Sequence, residues 1–300
     1  SSVPCFRLQS LFTAPTKSFA RFAERLPLMS HRERSSNGIK SIPMIKRLIV
    51  VFYFGFVAVA GFVGFCMNSL IWLVTLAFDR RLVAVHMFSC LWGSFVIRAM
   101  PLWSVRVAGR EKIRKDTAYI MISNHQSTLD GFLAYNLFCP FKLVSKASVF
   151  KIPFYGWNLW LNRYVMVKRG DPKSMTKMLF TCRAYLERGS SVFFFAEGTR
   201  SPDGVLRPFH LGAFSLAKRT NAPLLLLAIN GTGKAMPKKG LNYHSRQDLC
   251  IEVLGEIGVD EYAELTSVQL KNLVRSRIGA AVEEHRVFEA KNGSQPREAS

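Results

Sequence analysis

From Leu48 to Phe78 the chain runs for thirty-one residues without a charged side chain, between Lys46-Arg47 and Asp79-Arg80-Arg81. About 20 apolar residues suffice to cross the hydrocarbon core of a bilayer, so this run predicts a membrane-embedded helix. A single straight span would leave one of the two flanking basic clusters on the wrong side of the positive-inside rule. Two arrangements avoid that conflict. The run can bend near Gly61, Gly64 or Asn68 into a hairpin, or it can continue into Leu82 to Ile97, a second largely apolar stretch whose one polar ring is His86. The expectation is an anchor of two helices over residues 48–100, entering one leaflet in preference to a full traverse.

Charge points the same way. The 300 residues carry 41 Lys and Arg against 20 Asp and Glu, a formal charge of +21, which favours an anionic partner: nucleic acid, an acidic bilayer surface or a phosphorylated substrate. Residues 1–47 hold nine Lys and Arg against two Glu, with many serines and no long apolar run. That composition suits a disordered, bilayer-facing arm or an Arg- and Ser-rich targeting peptide, with Met29 as an alternative natural start. The aromatics sit in apolar runs and not among the basic residues, which argues against a nucleic-acid partner. The six cysteines are scattered singly, with no C-x-x-C and no zinc spacing to a histidine, so no metal site is expected.

Beyond Pro101 the texture changes. Trp103 to Gly109 alternates apolar and polar residues like a half-buried strand ending in a glycine turn. Further strands are predicted at Tyr119–Ser123, Phe141–Ser145, Tyr164–Lys168, Val192–Ala196, Leu224–Asn230 and Cys250–Leu254. A helix opens with Asp171-Pro172, a cap and a first-turn proline, presents Met175, Met178, Leu179, Cys182 and Leu186 on one face, and stops at Gly189. A last amphipathic helix is predicted over Thr266–Arg286, opened by a capping box of Thr266 with Gln269. Strands alternating with helices predict an α/β domain over residues 101–287, a mixed sheet flanked by helices, with a disordered polar tail at 288–300.

Two polar motifs stand at the ends of predicted strands, where open α/β sheets keep their sites. The first is NHQSTLD, Asn124 to Asp130. Ser127 and Asp130 have the S-x-x-D spacing of a helix N-terminus, which places His125 just before a helix and Asp130 near the end of its first turn. Inside one helix, side chains five apart would point about 140° away from each other, so the pair meets only if the chain turns at His125. A carboxylate that takes one ring N–H leaves the other nitrogen free to accept a proton. Taken alone, the seven residues fit equally well a helix cap beside a loop histidine. The second motif is FAEGTRS, Phe195 to Ser201, followed by the turn SPDG. Gly198 there allows positive φ or close approach to a ligand, and Arg200 is a candidate phosphate clamp. Glu197 has three open roles: orienting an arginine, orienting an acceptor hydroxyl, or forming a structural ion pair.

In this order, NHQSTLD and FAEGTRS resemble the N-H-x-x-x-x-D and F-P-E-G-T-R-S blocks of the glycerolipid acyltransferase family, and within it the lysophosphatidate acyltransferases. The intervening segment, Lys146 to Asp171, resembles the family's middle block, with Lys146, Pro153 with Gly156, and Arg169 at the matching positions. Leu224 to Gly233, entered through Ala222-Pro223, resembles a fourth block and reads as a core strand that supports the site. Its NGTGK does not fit a nucleotide loop, because G-x-x-x-x-G-K-[ST] fails at Ala228 and Ala235. The chain departs from the pattern at Ala196, Ser148, Leu226 and His210.

The resemblance implies transfer of an acyl group from acyl-CoA or acyl-ACP, as co-substrate and without a cofactor, to the sn-2 hydroxyl of lysophosphatidate. His125 and Asp130 would be the catalytic pair. Asn124, Lys146, Arg169, Glu197, Gly198, Thr199 and Arg200 would bind substrate, with guanidinium forks holding the phosphate. Membrane lipid is the further expected partner. The site is expected at the cytoplasmic interface of a bacterial inner membrane or an organelle membrane. The rival readings are another acceptor, such as glycerol 3-phosphate or a different lysolipid, and a non-catalytic membrane protein that binds anionic lipid.

Overall fold

Every residue of Leu224–Asn230 is buried, and this strand lies inside a seven-stranded sheet, third from one edge. The computed structural model describes residues 44–201, 204–237 and 246–293, with side chains from 48 to 287 within them. The strands are β1 (Trp103–Ala108), β2 (Ile120–Ser123), β3 (Phe141–Lys146), β4 (Val165–Val167), β5 (Ser191–Phe195), β6 (Leu224–Asn230) and β7 (Gln247–Ile257), in the spatial order β1-β7-β6-β2-β5-β3-β4. The five strands from β6 to β4 run parallel. β7 is antiparallel to β6 and parallel to β1, so the sheet is mixed, as the alternating pattern predicts.

Successive residues along β2 and β6 serve two separate cores, as a strand buried on both faces requires. Tyr119, Met121, Leu225, Leu227 and Ile229 face one; Ile120, Ile122, Leu224, Leu226 and Ala228 face the other. The first core is covered by α1 (Met44–Thr75), α2 (Val83–Arg98), α3 (Asp130–Tyr135) and α4 (Tyr155–Leu161). The second is covered by α5 (Pro172–Glu187), α6 (Gly212–Thr220) and α9 (Ser267–Gly293), with the short α7 (Thr232–Ala235) and α8 (Val259–Tyr262) in the connections.

The thirty-one-residue run does not fold back on itself as a hairpin but leads through a turn into a second helix. α1 passes unbroken through Gly61, Gly64 and Asn68, and the chain turns only after Thr75. Asp79 then accepts the amides of Val83 (2.9 Å) and Ala84 (2.8 Å), capping α2. No hairpin bend is needed at Asn68, because its side chain faces protein: it donates to Ser89 Oγ (3.0 Å) and Asn158 Oδ1 (2.5 Å). Asn162 donates to the same Ser89 hydroxyl (3.0 Å), so a buried polar knot ties α1 and α2 to α4. Leu48–Thr75 is the one helix among the described residues long and apolar enough to cross a membrane, and most of its side chains are not covered by protein.

Asp171 caps α5 through the amides of Lys173 (3.0 Å) and Ser174 (3.3 Å), with Pro172 in the first turn. Of the predicted buried face, Met178, Cys182 and Leu186 are buried, whereas Met175 is 40% exposed. The Thr266–Gln269 box forms as expected. α9 continues past Arg286 to Gly293, since no helix-breaking residue intervenes. Most of the basic arm, residues 1–43, and the end of the tail, 294–300, lie outside the described residues.

Candidate active site

β2 is followed by α3 on one face of the sheet, and its neighbour β5 leads to α6 on the other. The two connections part over the C-terminal ends of β2 and β5, which is the topological switch point where open sheets leave a crevice. NHQSTLD occupies one lip and FAEGTRS the other.

His125 Nδ1 lies 2.7 Å from Asp130 Oδ2. They meet across the N-terminus of α3, as the S-x-x-D spacing predicts. α3 begins at Asp130 itself, and residues 126 to 129 wrap around its carboxylate, which accepts the amides of Gln126 (2.7 Å) and Ser127 (2.9 Å). Ser127 Oγ accepts the Leu129 N–H (3.3 Å) while its own N–H donates to Asp130 Oδ2, the two bonds of the expected S-x-x-D box, and its hydroxyl donates to Met236 O (2.8 Å). Because the carboxylate is fully buried and faces Nδ1, that nitrogen carries the proton and Nε2 keeps a free lone pair. The His125 side chain is 13% exposed, so Nε2 remains reachable from the crevice.

Glu197 is turned inward, with both carboxylate oxygens engaged by backbone N–H groups. It is 3% exposed; Oε1 accepts the backbone N–H of His125 (2.7 Å) and Oε2 that of Arg207 (3.0 Å). It therefore locks the histidine's own backbone to the second motif. Burial raises its carboxyl pKa above the ordinary value, against the lowering effect of the two amides. Ser201 N adds a bond to His125 O (2.8 Å) across the same seam.

Asn124 is likewise turned away from the crevice. It is 2% exposed, and its amide both donates to Ile229 O (2.8 Å) and accepts from Ile229 N (2.7 Å). A side chain here extends the ladder between β2 and β6 by one more rung, because β6 is longer than β2 at this end.

Of the three candidate cations, Arg200 is tied to the histidine loop and Arg169 lies near it. Arg169 follows β4, and its guanidinium pKa is lowered first by burial and then by the repulsion of Arg200, so the two are near neighbours. Arg200 donates to Thr128 Oγ1 (2.9 Å), which fixes it beside the histidine loop. Lys146 is exposed at the C-terminal end of β3. Thr199 is partly buried in the loop between Gly198 and Arg200. Gly198 has φ +62°, and a Cβ there would fall 2.5 Å from the ring of His210, so this turn requires glycine twice over.

Two contacts to the pair come from residues that the motifs do not single out as functional. Phe195 stacks on the His125 ring, with centroids 4.2 Å apart and planes 19° apart. Thr232, in the fourth block, donates from Oγ1 to Asp130 Oδ1 (2.5 Å). Phe195 pairs with Ser123 at the end of β2, and only its place at the head of FAEGTRS hints at a site.

Comparison with known proteins gives the arrangement a relationship. Residues 104–230 match the Acyltransferase family model. The chain is 41% identical over 164 residues to the 1-acyl-sn-glycerol-3-phosphate acyltransferase BAT2, chloroplastic, of Brassica napus, a match covering 54% of this chain and 47% of that one. It is 32% identical over 155 residues to the 1-acyl-sn-glycerol-3-phosphate acyltransferase of Pseudomonas aeruginosa, covering 50% and 58%. The chain thus spans about half the length of the first of these relatives. The crystal structure of the 1-acyl-sn-glycerophosphate acyltransferase PlsC from Thermotoga maritima superposes with a TM-score of 0.64 over 81% of this chain and 97% of that one; at 22% identity this establishes the shared fold.

Proposed function

We propose, from residues 104–230 as an acyltransferase-family domain, that the protein moves an acyl group from a thioester donor to the free hydroxyl of lysophosphatidate, giving phosphatidate. The observation that carries this reading is the imidazole held at Nδ1 by buried Asp130, with Arg200 tied to the same loop through Thr128 and Arg169 close to Arg200. Nε2 takes the proton of the acceptor hydroxyl as its oxygen attacks the thioester carbonyl. The new C–O bond forms, the C–S bond breaks, and the proton passes to the departing sulfur. Positioned proton transfer of this kind contributes on the order of 10² to 10⁴ in rate. Asp130 keeps the ring in the right tautomer and stabilises the imidazolium that forms. The guanidinium groups, with Lys146, hold the acceptor's phosphate so that its hydroxyl meets Nε2. The donor is an acyl chain on coenzyme A or acyl carrier protein.

The substrate chains place the reaction at a bilayer surface. Phe52, Phe62, Leu70 and Leu73 on α1 and Trp157 and Trp160 on α4 are exposed and apolar, and the Asn68–Ser89–Asn162 knot fixes them to the domain. This face embeds in the membrane, on its cytoplasmic side, while part of the basic excess attracts anionic lipid.

The test is purified full-length protein with a radiolabelled acyl thioester and a panel of acceptors. Lysophosphatidate should be acylated far faster than glycerol 3-phosphate or uncharged lysolipids. Equal use of every acceptor would remove the phosphate clamp, and no transfer to any of them, with lipid binding intact, would favour the non-catalytic reading.

A further inference from the structure

The fourth block carries more than a supporting strand. β6 ends at Asn230, and Gly231 turns with φ +83° directly against the start of β7: a Cβ there would lie 1.9 Å from Asp248 O. That turn fixes Thr232 as the first residue of α7, fully buried, with its hydroxyl aimed at Asp130. Two more contacts join the same loops: Gly233 N to Gln126 Oε1 (3.4 Å) and Ser127 Oγ to Met236 O (2.8 Å).

The bonds to the carboxylate are divided unequally. Oδ2 accepts three N–H groups, from His125, Gln126 and Ser127. Among the described residues, Oδ1 accepts only the Thr232 hydroxyl at 2.5 Å. A hydroxyl has one proton, and Gln126 Oε1 lies farther from it, at 3.5 Å. The proton therefore goes to the carboxylate, which can only accept.

We infer that Thr232 is a positioning residue for the His125–Asp130 pair, setting the orientation and the basicity of the buried carboxylate through Oδ1. This rests on the acyl-transfer reading above. The bond withdraws charge from the carboxylate, and so limits how strongly Asp130 stabilises a protonated His125. Glu197, whose carboxylate meets the His125 backbone, and Arg200, held through Thr128, are the other ionisable groups at this loop.

The experiment compares Thr232→Val, which keeps the shape and removes the hydroxyl, with Thr232→Ser, which keeps the hydroxyl. Val should lower kcat about tenfold to a hundredfold, the size of one hydrogen bond to a charged group, with both KM values nearly unchanged. It should also move the acid limb of the kcat/KM profile to higher pH, because the carboxylate left with one fewer donor holds the imidazolium more strongly. Ser should restore both. An unchanged acid limb in Val, or a Ser variant as impaired as Val, would overturn the inference in favour of simple packing. A readout independent of turnover keeps the two readings separable: in ¹⁵N-histidine-labelled protein the Nδ1–H resonance of His125 should move downfield in Val. If that proton moves in a protein that transfers no acyl group, the acyl-transfer reading fails and the positioning survives. If it stays fixed, the positioning fails whatever the activity.

Discussion

Replacing Glu197 by glutamine distinguishes a brace from a substrate contact, because the two give opposite signatures. Glu197 presents an acceptor to each of two backbone N–H groups, His125 at 2.7 Å and Arg207 at 3.0 Å. A glutamine offers one acceptor and one donor, so either orientation of its amide leaves N–H facing N–H at one end. Losing one hydrogen bond to a charged group costs about 1.5–3 kcal/mol. For a domain of this size that lowers Tm by about 3–12 °C. The pH dependence should change too. Burial raises the native pKa above the unfolded value, so between those two values the native state holds more protons, and stability falls as pH rises through that window. In the Gln variant that decline should disappear. The assay is thermal unfolding of detergent-solubilised protein from pH 4 upward, as about the ordinary range for a glutamate, together with kcat and KM for the acceptor. The brace predicts a lower Tm at neutral pH and a loss mainly in kcat, as the His125 backbone loosens. An unchanged Tm with a raised acceptor KM would refute it and return Glu197 to the substrate.

Asp130→Asn should keep the fold, since the amide can meet both the N–H cluster and the Thr232 oxygen, but lower kcat about 10³-fold or more by removing the charge that balances the imidazolium, about 4 kcal/mol at an effective dielectric near 20; near-normal kcat would remove Asp130 from the mechanism. Arg200→Lys loses the planar fork beside Thr128 and should raise KM for lysophosphatidate about tenfold or more while leaving an acceptor without phosphate unaffected. Gly93→Ala would place a Cβ 2.6 Å from the Tyr135 ring, pushing α3 from α2; kcat should fall with donor KM unchanged, and wild-type kinetics would show that α3 is decoupled from α2.

The sheet was legible wherever a strand is buried on both faces, because such strands are continuous apolar runs: Leu224–Asn230 matches residue for residue, and β2 and β5 shift by one. β7 was read as Cys250–Leu254 but runs from Gln247 to Ile257. Its ends carry Asp248 and Glu256, which meet Ser104 and Arg114 from β1 and its following loop, so the polar residues that hid the strand are those that pair it. In the site, residue identity was legible and partnership was not. Asn124 and Glu197 are conspicuous in their motifs, yet both serve backbone amides of other segments, and a backbone amide leaves no mark in a sequence. Thr232 was invisible for the converse reason: its neighbours NGTGK suggest only a turn, and its partner lies in another motif.

These partnerships explain how a site on two loops can be rigid. Each loop is held by a segment it does not follow: Asn124 by β6, Glu197 by the His125 backbone, and Asp130 by the turn after β6. His125 is thus fixed by segments at the ends of three neighbouring parallel strands at once, although no residue of the pair lies in a strand. The helix that opens with Asp130 rests in turn on α2 through Tyr135, whose ring packs against His86 and into the core shared with Cys90 and Ile97. On the proposed reading, α1 and α4 meet the bilayer, and α2 is tied to both through Ser89. A continuous packed path then runs from lipid through α2 and α3 to the carboxylate, and the crevice keeps its depth relative to the membrane because the residue that orients the base opens the helix that touches the anchor.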